Sequence, residues 1–406
     1  MRISTEQFYQ QSSSQMSNKS SSVNEQMEHI SSGKRILTAK DDAILYGTLA
    51  GYNESLSNID KYKRNIIQAE SHNKLQDVVF ADAGNNLNTI KDNMLQAHNG
   101  AMSDEDIDAI VIEARSALDQ LLDLSNSKDE NGDYIFSGYK VELKPFRQQP
   151  DGSVSYSGDS GVRELQIAKN INIATSQAGD ASFMNIPNAI GDFTATYPTA
   201  PINSSGMSLS SANVSDRNTY NTSATPHDYT FTFDATTADL TVTDSLGGTT
   251  LFPVASYSGG QTISFDGIDV SLSGNPLPGE SFTMNEQEDV TLFENINNAI
   301  SWLERGSVSF DQEQYEVDFN TILDQLNVSL SHITSRRVES GIRLQVLESQ
   351  ESRHLDTALS QTSGRSAIED LDFTKAITEF EQAQVALQTS QQTFSATQGL
   401  SLFNYI

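Results

Sequence analysis

Six histidines, His29, His72, His98, His227, His332 and His354, are the side chains of this 406-residue chain best suited to bind a metal or shuttle a proton at neutral pH. They are scattered. None forms the H-E-x-x-H pair or another close spacing that a zinc peptidase needs, so solvated positions on helix faces are expected for them. Asp129-Glu130-Asn131-Gly132-Asp133 begins like a calcium loop, but Lys140 stands where a bidentate glutamate would have to close the coordination sphere, which leaves a turn before Tyr134. No phosphate loop, dinucleotide-binding glycine triplet or G-x-S-x-G elbow is present. The paired carboxylates Asp41-Asp42 sit where a helix start would use them. With no cysteine there is no thiolate nucleophile, disulfide framework or Cys-based metal site. No catalytic centre and no cofactor is expected.

Charge narrows the partners. Twenty-five basic against fifty-four acidic side chains give a net charge of −29, which excludes nonspecific binding to nucleic acid or to an anionic membrane. The opening, Met1-Arg2-Ile3-Ser4-Thr5-Glu6-Gln7-Phe8, lacks the apolar core of a secretory signal, and no stretch is apolar enough to span a bilayer. Export without a cleaved signal, or residence in the cytoplasm, is the expectation that follows.

The elements are marked by proline. All nine prolines lie between Pro145 and Pro278, which leaves both flanks free to be long helices and denies that to the middle. From Ala181 to Met284 there is no lysine and one arginine, and β-prone runs such as Tyr229–Phe233, Leu240–Val242 and Ile263–Phe265 alternate with turns at Gly247-Gly248, Gly259-Gly260, Asp266-Gly267 and Pro278-Gly279. A small antiparallel β domain inserted between helical flanks is predicted. In the first flank Leu45, Leu49, Tyr52, Leu56, Ile59 and Ile66 keep the helical rhythm, which slips and then resumes with Phe80, Ala83, Leu87, Ile90, Met94 and Ala97. One helix from Ala43 to Ala101, capped by Asp42, would be a rod about 88 Å long. Ser103 with Asp106 predicts a capping box for a second helix. In the last flank Asn285 with Glu288 predicts a cap, followed by a stripe from Phe293 to Leu303 that stops at Gly306. A further long run extends from Phe319 through Ile333 toward Leu355.

The two ends look made for one another. Phe373, Phe380, Leu387 and Phe394 fall at seven-residue intervals, each followed three residues later by Ala376, Ala383, Ser390 or Thr397, and such a stripe needs a partner helix. The first forty residues offer a sparse stripe, Phe8, Met16, Val23, Met27 and Ile30. They carry five basic and three acidic groups, whereas Glu369 onward carries five acidic groups and one lysine. No charged side chain occurs from Gln382 to Ile406. The ends are expected to be marginal alone and to order on assembly.

Three groups of residues then resemble a known family. Ser31-Ser32-Gly33-Lys34-Arg35-Ile36 with Ala39-Lys40-Asp41-Asp42-Ala43 is similar to the N-terminal element of the bacterial flagellin superfamily, and Arg336-Arg337-Val338-Glu339-Ser340-Gly341 with Ile368-Glu369-Asp370-Leu371-Asp372 to its C-terminal element. Tyr134-Ile135-Phe136-Ser137-Gly138-Tyr139, Lys144-Pro145-Phe146, Tyr156-Ser157-Gly158-Asp159 and the ending Gln398–Ile406 resemble, within it, the hook–filament junction members more than the bulk filament subunit.

The resemblance implies a mainly α architecture: a long antiparallel helical rod and coiled coil from the two flanks, with a β domain facing outward. Its parts would be terminal arms at 1–36 and 370–406, a helical rod domain at 37–180 and 285–369 with a β-hairpin segment, and the outer β domain at 181–284. It implies a structural, non-enzymatic role in the extracellular flagellum, export through the flagellar type III apparatus, and self-association in a ring. The implied partners are the first hook-associated protein, flagellin and an export chaperone. Phe373, Phe380, Leu387, Phe394, Leu402 and Phe403 would form the apolar surface for the chaperone or for subunit packing, and Gly33 and Asp42 the joint between inner and middle domains. A flagellin filament subunit, a surface adhesin using the outer domain and an enzyme housed in that domain are the competing readings.

Overall fold

A computed structural model describes residues 2–99, 102–199, 203–222, 227–237, 239–244, 250–254, 257–306 and 312–399. The chain divides into two compact units, 1–64 with 349–406, and 65–348. The helices in order are α1 (Arg2–Ser32), α2 (Ala43–His98), α3 (Asp104–Ser125), a short α4 (Arg217–Thr222), α5 (Leu292–Arg305), α6 (Gln312–Glu369) and α7 (Phe373–Gly399). The chain is thus mainly helical, with antiparallel sheets inserted between the flanks.

The 56 residues of α2 make about 84 Å of helix. Its start is fixed by Asp42, whose Oδ1 accepts from the N–H groups of Ile44 at 3.0 Å and Leu45 at 2.9 Å. The apparent slip in its apolar rhythm is not a slip. Ile66, Ala69, Asn73, Gln76, Phe80, Ala83, Leu87, Ile90, Met94 and Ala97 are all buried and step by three and four without interruption. Two of the positions are filled by amides because they face main chain: Asn73 Nδ2 donates to the carbonyl of Ala174 at 3.1 Å and Gln76 Nε2 to that of Thr175 at 2.9 Å.

In the 65–348 unit α6 runs antiparallel to α2, tied by Arg337 to Asp77 at 3.1 Å, Lys91 to Asn327 at 2.8 Å and His98 to Glu316 at 2.8 Å. Ser103 and Asp106 form the expected reciprocal cap of α3. The cap of α5 is not Asn285 with Glu288. The side-chain oxygen of Thr291 accepts from the N–H of Glu294 at 3.0 Å, while Asn285 lies within a strand, opposite Thr194. The helix ends as expected at Gly306, whose φ of +62° suits only glycine without strain. Burying α5 against α2, α3 and α6 builds one apolar core that contains Phe80, Phe136, Phe146, Phe183, Phe293 and Trp302. Phe183, in a π-helical turn at Asp180–Met184, has ring centroids of Phe80, Phe136, Phe146 and Phe293 between 5.0 and 6.5 Å away.

Short strands β1 (Phe146–Gln148), β2 (Val154–Tyr156), β3 (Glu164–Ala168) and β4 (Ile171–Ala174) form two hairpins, and β5 (Ile186–Pro187) pairs with β14 (Asp289–Val290). Between them β6 (Phe193–Thr196), β7 (Ser208–Val214), β8 (Tyr229–Phe233), β9 (Leu240–Asp244), β10 (Thr250–Val254), β11 (Thr262–Phe265), β12 (Ile268–Ser273) and β13 (Ser281–Glu286) make two antiparallel sheets, ordered β10-β9-β8-β13-β6 and β11-β12-β7. Alternate residues of both sheets enter one core: Tyr229, Phe231 and Phe233 from β8, and Ile268, Val270 and Leu272 from β12. Asp266 and Gly267 both take positive φ at the tip of the β11–β12 hairpin, as a two-residue turn requires. The turn expected at Gly247-Gly248 lies outside the described residues.

Candidate assembly site

The unit formed by 1–64 and 349–406 places the two ends of the chain side by side. Its α1 and α7 are antiparallel, with the Tyr9 ring edge-on to Phe394 at 5.9 Å at one end and Lys34 bridged to Asp370 at the other. This register sets Met16 opposite Leu387, Val23 opposite Phe380 and Ile30 opposite Phe373, a seam with the 3.5-residue period of a coiled coil. The seam is only partly closed. Ala376 is buried, whereas Tyr9, Met16, Val23, Ile30, Phe380, Leu387 and Phe394 are half-buried and Phe373 is 51% exposed. Two helices cannot surround such residues, so each keeps a face for something else. Met27, counted from the sequence among the seam residues, is exposed: the three-and-four stepping passes through Val23, Gln26 and Ile30 and leaves it on the flank. Leu402, Phe403 and the side chain of Phe8 lie outside the described residues.

The joint is built from main chain as much as from side chains. Gly33 ends α1 at φ +69°, and its N–H donates to the carbonyl of His29 at 2.9 Å. The N–H of Arg35 then donates to the Glu369 carbonyl at 2.7 Å and that of Leu371 to the Gly33 carbonyl at 3.1 Å, so the chain leaving α1 is paired with the chain entering α7. Lys34 meets Glu369 at 2.5 Å, and Arg35 Nη2 donates to the Ile368 carbonyl at 2.7 Å. Before Asp42 caps α2, Asp41 Oδ2 accepts from the N–H groups of Leu37 at 2.9 Å and Thr38 at 2.8 Å. Further along the same unit Arg365 reaches Asn53 and His354 stacks on Tyr62.

Two measurable results follow from this joint. Gly33→Pro would force φ near −65° and delete a bonded N–H, so a loss of at least about 3 kcal/mol is expected locally, read as rapid proteolysis of residues 33–42. Asp41 is held below the ordinary 3.8 by the Thr38 and then the Leu37 N–H groups, with His29 nearby adding to the effect. A depressed carboxylate stabilises the fold at neutral pH and loses that contribution as pH falls through its folded value, here below about 3.8. Amide protection of Leu37 and Thr38 should therefore hold from pH 7 to 5 and fail only below 4, whereas Asp41→Asn should lower it throughout. A wild-type loss already at pH 6 would contradict the assignment.

The histidines are not the solvated set expected. His72, His227 and His354 are buried and the other three are half-buried. His72 lies 3.8 Å from Asp129, His98 stacks on Phe319 at 4.0 Å, His227 stacks on Tyr220 at 3.9 Å, and His332 Nε2 donates to the Ala181 carbonyl at 3.0 Å, where burial holds it toward neutrality. Each joins two elements, a role that helix periodicity alone does not reveal for an amphipathic ring. Among the described residues no three His, Cys, Asp or Glu side chains gather as a metal site, and no helix is long and apolar enough to cross a membrane. Asp129 spends Oδ1 on the N–H groups of Asn131 and Asp133, which makes the turn before Tyr134.

Residues 3–141 match the bacterial flagellin N-terminal helical region. Flagellar hook-associated protein 3 of Escherichia coli (strain K12) is 24% identical over 403 residues, 99% of each chain. Flagellin 1 of Proteus mirabilis is 31% identical over only 117 residues, 29% of this chain. The crystal structure of flagellar hook-associated protein 3 from Legionella pneumophila superposes with a TM-score of 0.66 at 28% identity, covering 78% of this chain and 98% of that one. The match to Flagellin 1 of Proteus mirabilis thus spans about a third of the chain, whereas the likeness to flagellar hook-associated protein 3 of Escherichia coli runs from end to end.

Proposed function

We propose that this chain is a structural subunit of the bacterial flagellum, joining hook to filament, and that its terminal coil is the segment through which it assembles. The observation that carries the reading is the likeness over 99% of both chains to a hook-associated protein 3, together with a coil whose seam two helices leave half-covered. In this reading Phe373, Phe380, Leu387 and Phe394, continued by Leu402 and Phe403, pack against neighbouring copies in a ring, and before that against an export chaperone. The first hook-associated protein lies on the hook side and flagellin on the other. The arms 1–36 and 370–406 form the inner layer, 37–180 with 285–369 the middle one, and 181–284 the outward β domain. Gly33 and Asp42 set the turn between the first two. The subunit leaves the cell unfolded through the flagellar export apparatus, a route compatible with the lack of cysteine.

A deletion strain tests this reading directly. Electron micrographs should show hooks without filaments, flagellin monomers should collect in the medium, and the intact gene should restore both. Filaments still attached to hooks in the deletion strain would refute it.

A further inference from the structure

Within the 65–348 unit the buried residues of α2 and α6 repeat every seven positions. On α2 one series runs Ile66, Asn73, Phe80, Leu87 and Met94, and a second runs Ala69, Gln76, Ala83, Ile90 and Ala97. On α6 the series is Phe319, Leu326, Ile333, Ser340 and Leu347. A repeat of this kind is ambiguous. Moving one helix along the other by seven residues, about 10.5 Å, brings like against like and keeps most of the apolar burial. The two helices lie more than 200 residues apart in sequence, so no short connection between them sets their alignment.

Each series has one polar member, and the three stand at one level. Asp77 meets Arg337, a Cβ on Gly84 would touch Leu330 at 3.8 Å, and His98 meets Glu316, an antiparallel alignment that puts Ser340 level with the turn from Asn73 to Gln76. On either side of that level the apolar residues fall into separate clusters, one with Ile66, Ala69 and Leu347, the other with Phe80, Leu87, Leu326 and Ile333.

A third element contacts all three polar members. Ile167 of β3 and Ile173 of β4 enter the first cluster, and the chain leaving β4 crosses the polar level. Asn73 Nδ2 donates to the Ala174 carbonyl and Gln76 Nε2 to the Thr175 carbonyl, while Gln177 Nε2 donates to Ser340 Oγ and to the Arg336 carbonyl, each at 3.0 Å. Thus α2 holds one end of a four-residue segment and α6 the other. A seven-residue slip would carry Ser340 and Arg336 about 10.5 Å away from Gln177, leave that amide buried without these partners, and set Asn73 and Gln76 level with Ile333 or Leu347.

We propose that Asn73, Gln76, Gln177 and Ser340 form a polar key that admits α2 and α6 in one axial alignment only. Apolar side chains of similar volume would fill the layer with no loss of stability, so its value lies in penalising the shifted pairings.

The native chain has no cysteine, so introduced thiols report alignment without background. In the full-length protein, refolded from urea and treated with a short bismaleimide, Asp77→Cys with Arg337→Cys reports the observed alignment. Glu70→Cys and Gly84→Cys, each with Arg337→Cys, report the two shifted ones. In the otherwise native sequence only the first pair should be bridged within one chain. Asn73→Leu, Gln76→Leu and Gln177→Leu with Ser340→Ile should raise bridging of the shifted pairs at least about tenfold, while the unfolding midpoint read from Trp302 stays the same or rises. The exchange Ser340→Ile with Ile333→Ser moves the polar member of α6 by one repeat and should favour the Glu70 pair over the Gly84 pair. Bridging of the Asp77 pair alone in both backgrounds would overturn the key. A lowered midpoint with unchanged alignment would overturn it too, making the layer a source of stability instead.

Discussion

Replacing Phe183 by alanine is expected to lower the unfolding free energy of the 65–348 unit by about 3–5 kcal/mol, the usual loss when a buried phenylalanine is truncated in a core that cannot collapse around it. The ring is fully buried and meets four other phenylalanine rings, brought by α2, by the segment before β1, by β1 itself and by α5. Those elements are held by different parts of the chain, so none can close the gap without moving the others. Urea unfolding of the full-length protein, followed by the single tryptophan, Trp302, reads this unit because Trp302 lies in the same core. A shift of under 1 kcal/mol would mean that the aromatic cluster is not what joins these segments.

Aspartates in the terminal coil should give the opposite pattern: almost no change in that unfolding transition and a complete loss of motility. Phe380→Asp with Leu387→Asp puts two charges into the seam between α1 and α7, where Val23 and Met16 face them and no basic group of the seam lies opposite. The 65–348 unit shares none of these contacts, so its stability should stay within about 0.5 kcal/mol. In cells the variant should be made and fail to anchor filaments. Normal swimming would remove the coil from the assembly mechanism, and a large drop in the Trp302-reported transition would show that the two units do not fold independently.

How far the chain could be read in advance depended on how local each signal is. The caps at Asp42 and Ser103, the stop at Gly306 and the stripes of α2, α5 and α6 were all legible, since a helix states its own start, face and end within a few residues. The β-prone runs of the insertion and the turn at Asp266-Gly267 were equally local. Strand order was not. That β13 lies between β8 and β6, and that β12 pairs with a strand more than fifty residues earlier, is set by tertiary packing. Asn73 and Gln76 were missed because polar residues read as solvent-facing until their carbonyl partners, about a hundred residues away, are known. The histidines failed for the same reason. Thr291 was overlooked because a stronger-looking cap motif a few residues earlier belonged to a strand. In the candidate site the seven-residue repeat of α7 was plain, while its partial cover required the partner helix to be placed.

The pairing of Lys34 and Arg35 with Glu369, Asp370 and Leu371 has a kinetic meaning. Contacts between α1 and α7 join residues more than 330 positions apart at the joint, and 385 apart at Tyr9 and Phe394. No portion of that coil can form on a chain whose other end is still being made or still being threaded. Loop closure over such a span adds an entropic penalty that grows slowly with length but delays the first encounter, so the 65–348 unit, rich in nearer contacts, should fold first and the coil last. The ends of this protein are timed by topology alone: whichever end emerges first must wait for the other, and its apolar stripe stays unpaired until the chain is entirely free.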